Sequence, residues 1–172
     1  MSLDAARPPA AGAPVGLTLA VQYATEAPEL PRWRLRRWVK RAVEYTAAEE
    51  AELMDTPRFM HAELTLRLVD ADEGLALNSS YRQREYATNV LTFEYGVDAE
   101  GTASGDIVLC MPVLHREAAE QDKPVLAHAA HLTVHGVLHA LGYDHIEEED
   151  ASDMEALETR ILAGLGVPDP YA

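Results

Sequence analysis

The chain has 172 residues, of which 48% are hydrophobic and 25% charged, and its formal net charge is −15. This composition excludes a mostly disordered or fibrous protein, and the length predicts one domain with a substantial core. The acidic balance argues against a general nucleic-acid binder, because such proteins are usually basic over the contacting surface.

The N-terminal residues 1–15 are rich in alanine and proline and lack the continuous apolar stretch of a signal peptide. We expect a flexible tail there, followed by a single domain over residues 16–172. Cys110 is the only cysteine, so no intramolecular disulfide can form, and a cytoplasmic location is expected. The uncharged stretch Pro124–Tyr143 carries four histidines, which argues against a membrane span.

Hydrophobic periodicity predicts alternating strands and helices followed by a helical C-terminal half. The predicted strands are Leu17–Tyr23, Glu63–Val69, Asn89–Tyr95 and Asp106–Cys110, the last two separated by a turn over Glu100–Gly105. The predicted helices are a basic segment after the first strand, then Asp70–Tyr81, Pro112–Glu120, Val125–Leu141 and Asp150–Leu165. This order predicts an α/β (α+β) fold, with a single small mixed sheet packed with helices.

Charge is distributed unevenly along the chain. Six of the 14 basic residues lie within ten positions, among apolar residues at helical spacing. This predicts an amphipathic helix whose basic side is either a solvated face or a phosphate-binding patch; its candidate contacts are Arg34, Arg37 and Arg41. Acidic residues crowd Glu147–Glu158, which is either solvated surface or a dock for a basic protein.

The residues that carry chemistry are concentrated in His135–His145. His135 and His139 are one helical turn apart, so their imidazoles can reach a common ion, and Gly142 allows a sharp turn that brings His145 back as a third ligand. Three imidazoles favour zinc over magnesium or calcium, although nickel, copper or iron also fit. Three protein ligands leave a fourth position for water, as in catalytic zinc sites, here at the end of a central helix.

Neighbouring residues complete this motif. Asp144 is a candidate to orient an imidazole, with an exposed turn aspartate as the alternative. His128 and His131 share the helix face, and we interpret both as supporting or core residues rather than ligands. The spacing also occurs in metzincin proteases, but those need a glutamate after the first histidine, and this chain has Gly136.

The three-histidine segment resembles the signature of the YbeY family, bacterial endoribonucleases also described as rRNA maturation factors. Two further blocks are similar to the family's motifs, namely 77–82 with 88–93 (LNSSYR and TNVLTF) and 105–108 (GDIV). The similarity spans about Leu64 to Leu165. Ala140, where the family commonly has leucine, is a departure that affects packing rather than the ligands.

The resemblance implies a zinc-dependent, single-strand-specific endoribonuclease that matures the 3′ end of 16S rRNA and acts in ribosome quality control. It implies that Arg82 is the functional arginine, and the guanidinium fork suits a phosphate clamp. The implied partners are single-stranded ribosomal RNA, the small ribosomal subunit with one of its proteins, and the Era GTPase. On this interpretation the basic helix contacts RNA.

Two other functions remain open at this point. The chain is alternatively a metallohydrolase of another substrate, such as a peptide or a phosphoester. It is otherwise a non-catalytic ribosome-assembly factor, in which a structural zinc ties the last helices together.

Overall fold

The computed structural model describes residues 15–53, 58–82, 89–143 and 148–171, with the backbone alone at 80–82 and 148–150. Within these ranges lie four strands, β1 (Gly16–Tyr23), β2 (His61–Val69), β3 (Val90–Val97) and β4 (Thr102–Cys110). The same ranges hold five helices, α1 (Arg32–Leu53), α2 (Ala71–Arg82), α3 (Met111–Glu120), α4 (Val125–Ala140) and α5 (Glu148–Gly164). The predicted tail lies outside the described residues except for Val15.

The strands form one mixed sheet in the order β1-β2-β4-β3. β1 pairs with β2, and β2 with β4, in parallel, whereas β3 runs antiparallel to β4. The parallel connections require crossovers, which the helices α1 and α2 supply. The prediction of a single small mixed sheet packed with helices is therefore confirmed, and each predicted element has a counterpart in the predicted order.

The predicted turn over Glu100–Gly105 is too long. The chain turns at Asp98–Gly101, where Gly101 has φ +84° and the Asp98 carboxylate accepts hydrogen bonds from two backbone N–H groups. β4 already begins at Thr102, because β2 offers it partners from His61 onward. Gly105 is therefore a strand residue, and a glycine is needed there because Ala140 of α4 packs close to it.

Helix α4 is central, since it packs against β3, β4 and three of the other helices. Two glycines allow its close approach to the sheet. A Cβ at Gly105 would lie 2.8 Å from the Ala140 Cβ, and one at Gly136 would lie 2.6 Å from Ile107 Cγ2. Position 136, where a metzincin has its glutamate, thus faces the sheet. None of the helices in the described ranges is both long and apolar enough to cross a bilayer.

Gly136→Ala is expected to destabilise the protein by about 1–3 kcal/mol, because the new methyl group must push α4 away from Ile107 or force that side chain off its rotamer. Urea unfolding followed by circular dichroism measures this as a lower midpoint with an unchanged slope. A midpoint equal to that of the wild type would show that α4 does not need this close contact.

Cys110 ends β4 as a buried residue with 1% of its surface exposed. Burial raises the pKa of its thiol. Because the thiolate is the reactive form, this environment favours a packing role over nucleophilic chemistry.

Candidate metal centre

Four histidines follow one another along a single face of α4. Successive ring centroids are 6.3 Å apart from His128 to His131, 6.1 Å from His131 to His135, and 4.6 Å from His135 to His139. Spacings of three and four residues place side chains above one another on a helix, so the stripe follows directly from the sequence. The adjacent side of α4, with Gly136 and Ala140, packs on the sheet.

His135 and His139 form the closest pair of this stripe. Their Nε2 atoms lie 3.1 Å apart and their rings are inclined by 75°. Two imidazole nitrogens that bind one tetrahedral zinc ion at about 2.0–2.1 Å are separated by about 3.3 Å. The pair therefore fits a zinc ion through its Nε2 atoms.

Glu158 of α5 forms a hydrogen bond with the other ring nitrogen of His135, Nδ1. Its Oε2 lies 2.5 Å from His135 Nδ1, and its Oε1 lies 3.2 Å from His131 Nε2. Burial of this fully enclosed carboxyl raises its pKa, but the hydrogen bonds with His131 and His135 outweigh burial and hold the pKa of Glu158 at about 2. The carboxylate is thus ionised, and it favours the tautomer of His135 that carries its proton on Nδ1 and presents the Nε2 lone pair.

The C-terminal residues complete the surroundings of Glu158. The Tyr171 hydroxyl donates a hydrogen bond of 2.5 Å to Glu158 Oε1, and its ring lies edge-on to His131 at 5.4 Å. Burial and the adjacent carboxylate raise the pKa of Tyr171, so the hydroxyl stays a donor. Lys123 in turn donates to the Pro170 carbonyl. The last residues of the described chain are therefore docked against the candidate site.

Two sets of donor atoms in this region can hold an ion. One is the Nε2 pair of His135 and His139. The other comprises His131, His135 and Glu158, which each offer one ligand atom, all within 4.8 Å of one another. The second set uses atoms that already share hydrogen bonds, since Glu158 accepts from His131, His135 and Tyr171.

His128 belongs to a separate network at the start of α4. Its Nε2 lies 2.9 Å from Glu117 Oε1, which also accepts a hydrogen bond from the Asn89 side chain. The residue is 4% exposed. These contacts link α3, α4 and the segment before β3, which places His128 in the packing of the core.

In the turn after α4, backbone N–H groups donate hydrogen bonds to carbonyl groups at the end of the helix. Gly142 has φ +105°, and the N–H groups of Gly142 and Tyr143 donate to the carbonyls of His139 and Leu138. This pair of bonds is the Schellman arrangement, which needs a left-handed residue that glycine adopts without strain. The prediction that Gly142 ends the helix is confirmed.

A partly buried ion pair also contacts this turn. Arg58 forms two hydrogen bonds of 3.0 Å with Glu50 of α1 and donates a further bond to the Leu141 carbonyl. The Tyr143 hydroxyl donates to Glu50 at 2.8 Å. Glu50 is only 5% exposed, and these partners satisfy the hydrogen-bonding capacity of its carboxyl oxygens. The network fixes the point where the chain leaves α4.

Several predicted site residues are not placed by these contacts. His145 and Asp144 lie outside the described residues, and Arg82 is the last residue of α2, described in its backbone only. The predicted basic helix is α1. Arg37 is exposed on it, whereas Arg34 and Arg41 are half-buried.

Glu158 and Tyr171 were not predicted from the sequence as site residues. Glu158 was included in an acidic run interpreted as solvated surface or a docking surface, yet it is fully buried. One signal was available, because Glu158 shares its helical face with Met154, Leu157 and Ile161, which are buried core residues. A carboxylate on an apolar stripe indicates a buried partner on another element.

Comparison with known proteins agrees with the histidine motif. The family model described as Endoribonuclease YbeY matches residues 20–166. Relatives named Endoribonuclease YbeY include that of Bordetella avium, 63% identical over 94% of this chain and 96% of its own. Another, from Paraburkholderia phytofirmans, is 50% identical over 90% of this chain and 95% of its own.

A solved structure shows the same fold. The solution structure of TM1509 from Thermotoga maritima covers 87% of this chain and 92% of its own, with a TM-score of 0.54 and 20% identity. The relatives' names agree with the predicted class, a hydrolase that acts on RNA. The family match and the relatives show that this chain belongs to the endoribonuclease YbeY family.

Proposed function

We propose that this chain is a zinc-dependent endoribonuclease that cleaves single-stranded RNA, with His135, His139 and His145 as the zinc ligands. The observation that carries the proposal is the Nε2 pair of His135 and His139, 3.1 Å apart and backed by a buried carboxylate, in a chain of the YbeY family. Imidazole nitrogens with a carboxylate on the outer ring nitrogen are characteristic of zinc sites.

The roles of the ring nitrogens favour this ligand set over His131, His135 and Glu158. Glu158 accepts hydrogen bonds from three side chains, and binding an ion directly would displace those donors. In the proposed set Glu158 keeps its bonds and orients His135. His131 then supports Glu158 and is not a ligand.

Each residue has a defined task in the proposed reaction. Zinc held by His135, His139 and His145 would supply Lewis acidity toward a phosphoryl oxygen and would lower the pKa of a bound water molecule. Glu158 keeps the proton of His135 on Nδ1, away from the ligand atom. Arg82 holds the scissile phosphate with its guanidinium fork and stabilises charge that develops on the phosphoryl oxygens. Asp144 orients an imidazole.

The biological substrate proposed is the 3′ end of 16S rRNA during its maturation, together with RNA of defective ribosomes. The partners proposed are the small ribosomal subunit with one of its proteins, and the Era GTPase, in the cytoplasm. Membership of the YbeY family supports these assignments. Residues 16–172 are proposed to act as one catalytic domain.

Removal of the metal tests the function directly. Purified protein treated with a chelator is expected to lose cleavage of a single-stranded RNA and to regain it with one equivalent of zinc, while a fully paired RNA stays intact in all samples. A His139→Ala preparation made in parallel controls for contaminating nucleases. Undiminished cleavage by metal-free protein would refute the proposal. Unfolding on metal removal, with no cleavage before it, would instead favour a structural zinc in an assembly factor.

A further inference from the structure

The first half of α1 carries an exposed basic surface, which we define as Arg32, Trp33, Arg36, Arg37 and Lys40. All five residues are exposed, and Trp33 retains 61% of its accessible surface. In the described part of the chain, Arg36, Arg37 and Lys40 take part in no ion pair. These charges are therefore available to a partner rather than used within the fold.

The position of these charges is unfavourable for the helix itself. A helix N-terminus carries a partial positive charge and is stabilised by acidic residues. The first turn of α1 instead contains Arg32 and Arg34 and no acidic residue, and its last turn contains no basic residue. Helix stability does not explain this arrangement, in a chain whose net charge is −15, whereas attraction of a polyanion does.

Trp33 adds an aromatic group to the charged surface. The Arg34 guanidinium lies 4.8 Å from the centre of the Trp33 ring, which holds the indole at the surface. One turn later, Trp38 packs in the core with 4% exposure. An exposed aromatic ring beside unpaired cations is the combination that binds single-stranded nucleic acids, with cations along the backbone and the ring under a base.

We propose that the basic surface of α1 is a second RNA-binding site, which holds single-stranded RNA by its phosphates and by stacking on Trp33, away from the histidines. The inference rests on the proposed function for the identity of the polyanion. The residues proposed to contact RNA differ from those predicted from the sequence, because Arg34 and Arg41 are half-buried and Arg34 packs on Trp33. Arg36, Arg37 and Lys40 form the phosphate contacts.

The two sites lie at opposite ends of α1. Its C-terminal end reaches the turn after α4 through Glu50 and Tyr143, and reaches α5 through an ion pair between Glu49 and Arg160. At 1.5 Å per residue, Arg37 lies about 20 Å along the helix axis from Glu50. With about 3.4 Å per stacked nucleotide, an RNA that spans both sites needs at least about six nucleotides. The contribution of this surface to RNA binding should therefore depend on RNA length.

The test compares Arg36→Gln/Arg37→Gln with Arg116→Glu, a charge reversal at an exposed arginine on α3. Both changes lower the net charge of −15 by two, and glutamine is a good helix former. For a single strand of about 16 nucleotides, the double variant is expected to raise KM and Kd about tenfold and to lower the salt slope by about 1.4. For a strand of about four nucleotides, and for Arg116→Glu with either strand, changes below twofold are expected.

Fluorescence supplies an independent measurement. The longer RNA is expected to quench the exposed Trp33 of the wild type, and Trp33→Phe is expected to remove that quenching while the buried Trp38 remains. Equal losses for both RNA lengths, or equal losses in Arg116→Glu, would overturn the proposal. Binding of the wild type, but not the double variant, to anionic vesicles, with RNA affinity unchanged, would assign the surface to a membrane and overturn it as well.

The two proposals fail in different ways. If the proposed function is wrong, the wild type cleaves neither RNA, yet the equilibrium affinity for the longer strand still tests the basic surface. If only the basic surface is wrong, metal-dependent cleavage persists and the double variant behaves like Arg116→Glu.

Discussion

Replacing His139 with alanine is expected to abolish zinc binding and RNA cleavage while the protein stays folded. The substitution removes one of the two Nε2 atoms that lie 3.1 Å apart. It leaves the contact between His135 and Glu158 in place. Loss of an outer partner of a zinc ligand costs about 10- to 100-fold in affinity or activity, so loss of the ligand itself should exceed about 100-fold. Elemental analysis of purified protein measures the metal, with RNA cleavage followed on the same samples.

The matched control is His115→Ala on α3. His115 is half-exposed and its imidazole pairs with Glu29 at 3.3 Å rather than with His135, His139 or Glu158, so zinc content and cleavage should match the wild type. Thermal unfolding of each protein separates loss of metal from loss of fold. Wild-type zinc content in His139→Ala, or cleavage at the wild-type rate, would exclude His139 as a ligand.

Most of the fold could be predicted from the sequence, because its signals are local. Alternating apolar residues in 63–69 and helical spacing in 125–141 depend only on which side of an element is buried. The histidine pair was predictable for the same reason, since positions four apart on a helix meet wherever the helix lies. Gly142 was predictable because a left-handed residue after a helix favours glycine.

The errors and omissions are all non-local. The predicted turn extended to Gly105 because its glycine resembled a turn residue, whereas the actual reason for it is the approach of Ala140 from α4. Glu50 lies in α1, Arg58 just before β2 and Tyr143 just after α4, so these side chains meet only when the three elements are assembled. Local periodicity contains no information on these contacts.

The role of Glu158 in the candidate site could not be predicted from local sequence for the same reason. Glu158 lies on α5, and no spacing rule joins it to His135 on α4. Its position on a buried helix face indicated that it needed a partner, but three-dimensional packing was required to identify which one. Tyr171 is further removed, because its role depends on the chain returning from α5 to cover His131.

Glu158→Gln is expected to weaken zinc binding by about 10- to 100-fold without unfolding the metal-free protein. An amide has one acceptor oxygen and no charge, so it cannot serve His131, His135 and Tyr171 together as the carboxylate does. His135 then loses the partner that fixes its proton on Nδ1. Competition with a chromogenic chelator measures the affinity, and urea unfolding of metal-free samples measures the fold.

Two further variants turn this prediction into a graded test of the hydrogen-bond chain. Tyr171→Phe removes a hydroxyl that donates to Glu158 and lies 3.2 Å from His131 Nε2, but it leaves the contacts of Glu158 with His131 and His135, so its loss of zinc affinity should be smaller than that of Glu158→Gln. Glu155→Gln removes a charge from the exposed side of the same helix and should leave affinity unchanged. If Glu158→Gln and Glu155→Gln bind zinc equally well, the buried carboxylate does not orient His135. If Glu158→Gln instead loses all zinc while His139→Ala keeps it, Glu158 binds the ion directly, and the ligand set is His131, His135 and Glu158.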